Sequence, residues 1–194
     1  SISGDDAAQV LANRRKLAAS LGATLEKAVV TGQVHSANIV CVDESFAGRG
    51  ALQLESALAD TDGLITNVPG LPLLLFFADC VPIIIFDPVQ KVLAVVHAGW
   101  RGTVSRIGAL AVQKMQQVYN SHPKDCLAFI GPSIGPCCYE VDDTVAAAVR
   151  KEFDFAEQVL QPKADGKFML NLWQTNKLLL SEAKLVPDKI IISG

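Results

Sequence analysis

The sequence is poor in charge: 19% of its 194 residues are charged, against 50% hydrophobic. That balance excludes a solvated, disordered chain and favours a compact globule with well-covered strands. No long basic run occurs, and 17 Lys and Arg against 20 Asp and Glu leave a net charge of −3. A nucleic-acid backbone therefore finds no electrostatic footprint, and no nucleic-acid partner is expected. Long apolar stretches are absent too. The longest, Leu71 to Phe86, is broken by Pro72, Asp79, Cys80 and Pro82, whereas a membrane span takes about 20 apolar residues. The sequence has no basic segment leading into an apolar one at its start and no Asn-x-Ser/Thr site, so nothing points to secretion. Five cysteines, an odd count, lack the spacing of a small disulfide framework. A reducing cytoplasm is the expected compartment.

The length fits one domain, 1–194, with a sizeable core. The chain opens at Ser1 without a Met and stops at Gly194 directly after Lys189-Ile190-Ile191-Ile192, so native segments at both ends are expected to be missing. Along it, Asp6 to Leu21 reads as an amphipathic helix carrying Val10, Leu11, Leu17 and Leu21, with Gly22 at its end. Val29-Val30, Asn38 to Val42 and Leu64 to Thr66 read as strands. Later helices are expected over Val104 to Tyr119 with Thr103 as N-cap, Asp143 to Phe153 and Leu172 to Ala183. Further strands fit Cys126 to Ile130 and Leu185 to Ile192. Strands and helices alternate irregularly, which indicates α/β architecture with mixed sheets covered by helices.

Cys80 and His97 close two neighbouring apolar runs, Leu73 to Cys80 and Val92 to His97, with Pro82 to Phe86 between them. If Phe86 pairs with Lys91 across a four-residue loop, Cys80 falls opposite His97, with Cβ atoms about 4.5 to 5.5 Å apart. The chain has three histidines, and His35, in a loop between two strand-like segments, completes a Cys/His/His set. Three protein ligands leave zinc one open position, the arrangement of catalytic rather than structural sites. Two other readings of the residues stay open: Cys80 as a buried hydrophobe with hydrogen-bonded histidines, and Cys80 as a nucleophile with His97 as its base. Asp79 orients the loop before Cys80.

His97-Ala98-Gly99-Trp100-Arg101-Gly102 turns from a strand into a helix, and its backbone N–H groups with Arg101 suit a phosphate. Against that stands a plain tight turn with Arg101 packed on Trp100. Gly131-Pro132-Ser133-Ile134-Gly135 matches Gly-x-Ser-x-Gly, but no histidine follows Ser133, which rejects a nucleophile elbow. Cys137-Cys138 reads as buried filler, His122 as an exposed loop residue, and Asp60-Thr61-Asp62-Gly63 as a turn lacking the remaining calcium ligands.

Gln33-Val34-His35, Ala78-Asp79-Cys80-Val81-Pro82, His97-Ala98-Gly99-Trp100-Arg101-Gly102-Thr103 and Gly131 to Pro136, in this order, resemble the bacterial YfiH or laccase-domain family. The resemblance covers nearly the whole chain. It implies a four-layer α/β/β/α sandwich with mixed sheets and zinc held by His35, Cys80 and His97, with copper as the alternative metal. Cys80 and His97 are the expected catalytic residues, and Arg101, Gln33, Asp79 and Arg14 the expected contacts to substrate and phosphate. The implied activity is zinc-dependent phosphorolysis of adenosine, inosine and S-methyl-5′-thioadenosine, with adenosine deamination beside it. The partners are then a small nucleoside and phosphate. Copper-dependent polyphenol oxidation and a peptidoglycan-precursor editing role are the alternatives the same resemblance carries.

Overall fold

A computed structural model describes residues 4–193. In chain order the strands are β1 (Val29–Val30), β2 (Ile39–Cys41), β3 (Gly63–Thr66), β4 (Leu73–Leu74), β5 (Val81–Asp87) and β6 (Val92–Ala98), then β7 (Leu127–Ile130), β8 (Glu140–Val141), β9 (Leu160–Pro162), β10 (Phe168–Leu170) and β11 (Ile190–Ile192). The helices are α1 (Ala7–Ser20), α2 (Trp100–Val104), α3 (Ile107–Tyr119), α4 (Asp143–Glu152), α5 (Ala156–Val159) and α6 (Leu172–Glu182). Six strands form one mixed sheet in the order β11-β7-β5-β6-β3-β2, parallel at its two outer pairs and antiparallel within. A three-stranded antiparallel sheet β8-β10-β9 and a short parallel pair β1-β4 complete the mixed α/β architecture.

The β5-β6 hairpin sits at the centre because both of its faces are apolar. Ile83 and Ile85 stand opposite Val96 and Ala94; all four are fully buried, in the core that α3 and α6 cover. Burial of each such branched side chain contributes roughly 1.5 to 3 kcal/mol. Val95, pointing the other way, packs with Leu64, Leu71 and Leu75 under the β1-β4 layer. Beyond β5 this second face is less covered: Phe86, Leu127, Phe129 and Ile191 are all more than a third exposed. No helix among the described residues is long and apolar enough to cross a membrane.

Three expectations are corrected. The hairpin register is offset by two residues from the one expected: Asp87 still pairs with Val92, and Pro82, not Cys80, stands opposite His97. The cause lies in the turn, where the Asp87 carboxylate accepts from the N–H groups of Val89 and Gln90 and Lys91 adopts a left-handed φ of 55°. A two-residue offset keeps every side chain on its face. Second, the run Leu73 to Cys80 is a strand only at Leu73–Leu74, and the remainder is loop, leaving Cys80 immediately before β5. Third, the helix expected from Val104 starts at Trp100 with Gly99 as N-cap, then breaks at Arg106, whose φ is 59°. Thr103 is buried inside α2, and its hydroxyl accepts a hydrogen bond from Asn176 of α6 at 3.0 Å.

Candidate metal centre

Three segments meet at the C-terminal end of β6. His97 lies one residue from that end, Cys80 comes in from the loop before β5, and His35 projects from the loop between β1 and β2. Their ligating atoms all lie within 4.8 Å of one another. Bonds of about 2.0 to 2.3 Å to a common ion need a closing movement of only about 1 Å. Among the described residues this is the one cluster of three or more His, Cys, Asp or Glu donors that could hold a metal ion.

The cup is built around Asp62, which the sequence reading treated only as part of a turn. Its side chain is fully buried and its Oδ1 lies 2.8 Å from His97 Nδ1. The same carboxylate accepts from the backbone N–H groups of Val34, His35 and Ser36 at 2.8 to 3.1 Å, and from the Ser36 hydroxyl. Two consequences follow. The bond to Nδ1 leaves Nε2 of His97 as the metal-facing nitrogen, the carboxylate–histidine–metal arrangement that fixes tautomer and ring orientation. The three backbone bonds hold His35 at a φ of 62°, a left-handed conformation that a non-glycine residue keeps only where its surroundings impose it.

Electrostatics favour a ligand over a nucleophile. Burial pushes the Cys80 thiol above its ordinary value, and the charges of Asp79 and Asp62 push the same way. Without a cation beside it the sulfur stays protonated, whereas an activated nucleophile needs the opposite shift. Burial lowers His97, against the upward pull of Asp62, so it favours the neutral imidazole that a metal binds. Burial also raises Asp62, but the hydrogen bonds from His97 and the loop outweigh it and hold the carboxyl below its usual range. The residues present therefore fit a metal: one soft donor, two imidazoles and a fixed carboxylate behind.

Gly99 is required by the cup. A Cβ there would lie 2.8 Å from Cys80 Sγ and 3.3 Å from His35 Cδ2, so any other residue displaces two of the ligands. Gly102 lets α2 close over the strand end, since its Cβ would meet the carbonyl oxygen of His97 at 3.1 Å. The His35 and His97 rings meet edge-on at 5.0 Å, and Phe77 lies 5.5 Å from His97.

The remaining expected site residues surround this end of the sheet. Gln33 uses its amide on the backbone of Phe76, accepting from its N–H at 2.7 Å and donating to its carbonyl at 2.8 Å, which ties the Cys80 loop to the His35 loop. Arg14 of α1 lies over the Phe76 ring at 4.7 Å, and burial lowers its pKa. Asp79 is exposed, and its carbonyl accepts from Ile134 N, drawing in the Gly131 to Pro136 loop. Arg101 is exposed and stacks on Trp100 at 4.4 Å, with no ion-pair partner among the described residues. Tyr139, which no motif singled out, sits near enough to feel this site: burial raises its pKa, Cys80 and Asp79 add to the rise, and Arg101 opposes it. Ser133 is held by Trp173, whose indole N–H donates to its hydroxyl at 2.6 Å. His122 is exposed, as expected.

The multi-copper polyphenol oxidoreductase laccase family model matches residues 1–194. The chain is 38% identical over 190 residues to the purine nucleoside phosphorylase YlmD of Bacillus subtilis, covering 98% of this chain and 68% of the relative. It is 37% identical to the adenosine deaminase RL5 of an unknown prokaryotic organism, over 98% of this chain and 72% of that protein. Among solved structures, the Bacillus licheniformis hypothetical protein YfiH superposes with a TM-score of 0.95 at 36% identity, over 98% of this chain and 72% of that one. YlmD from Geobacillus stearothermophilus superposes with a TM-score of 0.94 at 39% identity, over 98% and 71%. With the fold, the motif order and these likenesses in agreement, the chain belongs to the YfiH or laccase-domain family.

Proposed function

We propose that this chain is a cytoplasmic, zinc-dependent purine nucleoside phosphorylase acting on adenosine, inosine and S-methyl-5′-thioadenosine. The observation that carries the reading is the three-donor cup of His35, Cys80 and His97, with Asp62 behind it and, on the helix that follows, Arg101, which has no ion-pair partner among the described residues. Zinc in such a cup keeps one position for water or substrate, where it polarises a bound oxygen.

Phosphorolysis joins a phosphate oxygen to C1′ of the ribose as the C1′–N9 bond breaks, and the electron pair leaves with the purine. The chain's own part is placement and charge. Arg101, held flat on Trp100 and free of any carboxylate partner among the described residues, offers a guanidinium fork to phosphate. Arg14 supplies a second positive charge at the Phe76 edge. Tyr139 holds its phenolic proton well past neutrality, so beside the purine it serves as a hydrogen-bond donor rather than a base. Gln33 keeps the two ligand loops in register.

Deamination of adenosine is the second reading, favoured by the RL5 relative; a zinc held by His35, Cys80 and His97 would supply activation of a water. Copper also suits a Cys/His/His donor set. Zinc-replete protein given inosine and phosphate is expected to release hypoxanthine and ribose 1-phosphate. Release of base without phosphate, or none at all while a phenol is oxidised under copper, would overturn the reading.

A further inference from the structure

The adjacent cysteines after the Gly131 to Pro136 loop are not the buried filler their sequence suggests. Both side chains are exposed, and their sulfurs lie 3.1 Å apart. Neighbouring residues normally point in different directions, alternately across a strand or about a quarter-turn apart on a helix. Here the backbone is turned to bring them together: the N–H groups of Cys138 and Tyr139 both donate to the carbonyl of Gly135, at 3.0 and 3.1 Å. A Cβ at Gly135 would make a tight contact of 3.3 Å with the Trp173 ring and an ordinary one of 3.6 Å with Cys137 Sγ.

The pair opens on a cleft of about 460 Å³. Its floor is one row across the small sheet, where Met169 stands opposite Glu140 on one side and Gln161 on the other. Three sulfur-bearing side chains thus line one cavity. Glu140, a hard oxygen donor in its wall, is engaged by both Lys163 and Lys167, which leaves the sulfurs and the Gln161 amide as the remaining side-chain donors of the cleft. Two thiolates at this separation repel, and a bound cation removes that penalty.

We propose that Cys137 and Cys138, with the Met169 thioether, form a second metal site that takes one monovalent copper ion, separate from the His35, Cys80 and His97 cup. Thiolate and thioether donors select this soft ion, whereas a thioether is not among the usual ligands of zinc and hard cations prefer oxygen. Two metal–thiolate bonds of about 2.3 Å at a trigonal angle place their sulfurs about 4 Å apart, so the pair at 3.1 Å need open by only about 1 Å. Binding breaks two S–H bonds, releases two protons to solvent and forms two copper–thiolate bonds and one copper–thioether bond as the chelator gives up the ion, with no change of oxidation state. The proposal is independent of the nucleoside reading.

The test uses reduced protein carrying Cys80→Ala, which disables the first cup, titrated with monovalent copper held by a colorimetric chelator under ascorbate. One equivalent should bind, and it should protect Cys137 and Cys138 from alkylation by iodoacetamide, a readout that needs no further substitution. Adding Cys137→Ser and Cys138→Ser should abolish that equivalent. Met169→Leu should weaken it by on the order of tenfold, the lower end of what losing a supporting group costs a metal site. No uptake by the Cys80→Ala protein, uptake unchanged by the double serine substitution, or thiols that remain fully alkylated with copper present would each overturn the proposal.

Discussion

At the residue scale the centre of the molecule is a carboxylate rather than a ligand. Asp62 joins His97, His35 and Ser36 through one buried side chain, so it sets both the ring that faces the metal and the strained loop that carries the other histidine. Asp62→Asn keeps the shape and removes the charge. It is expected to lower metal affinity by roughly 10- to 100-fold, the usual cost of losing such an outer partner, in a competition titration against a zinc chelator. Affinity within twofold of the parent would show that the carboxylate is packing alone. Cys80 and His97 stood out in the sequence because both close apolar runs, whereas His35, in a loop between strand-like segments, joined them as a possible third donor and through the family resemblance. Asp62 did not stand out: its contact with His97 depends on β3 pairing with β6, and no local pattern announces that pairing across some thirty intervening residues. Gln33 was picked out as a substrate contact, and its amide is engaged by the backbone of Phe76.

At the element scale the β5-β6 hairpin carries both stability and site. Its alternating apolar runs made the strands readable, yet the register slipped because Asp87 was assigned to the loop when it belongs to the strand and caps the turn from there. The offset by an even number preserved the face, so Cys80 and His97 still converge, with Cys80 delivered by a loop instead of a strand end. The α2–α3 break was hidden for a similar reason. Residues 104–119 read as one helical pattern capped at Thr103, and the structure divides it at the left-handed Arg106, tied to Glu152 and Glu182. The small β8-β10-β9 sheet escaped notice because strands of two or three residues leave too short a pattern to detect. Ile83, at the middle of β5 and fully buried between strand neighbours and α3, should cost about 2 to 5 kcal/mol when replaced by Ala. Urea unfolding would read this as a lower midpoint at unchanged slope; a loss under 1 kcal/mol would mean that the core closes over the gap.

For the whole molecule, charge is sparse and locally paired, so pH acts through a few sites. Hydrogen bonds from Lys163 and Lys167 hold Glu140 down at about 2, from an ordinary value of 4.5. A depressed carboxylate stabilises the fold above its unfolded value, and the contribution fades as pH falls through the folded one. The melting temperature of the parent should therefore exceed that of Glu140→Gln near neutrality. The gap should narrow from pH 4.5 down to about 2, and added salt should shrink it because these side chains are partly exposed. A gap that is constant with pH would mean that the lysines bind the amide equally well.

At the same scale, the end of the sheet where three loops meet gathers the metal donors, the arginines and the aromatic edge, and nucleoside phosphorolysis is the chemistry that set of groups supports best. The most direct measurement follows phosphate-dependent release of hypoxanthine from inosine while zinc is returned to chelator-stripped protein, in parent and Cys80→Ala forms. Activity in the parent should rise with zinc and level off at one ion per cup, and Cys80→Ala should stay inactive with its fold intact by circular dichroism. Full activity in the stripped parent, or in the Cys80→Ala protein, would contradict a catalytic role for the cup.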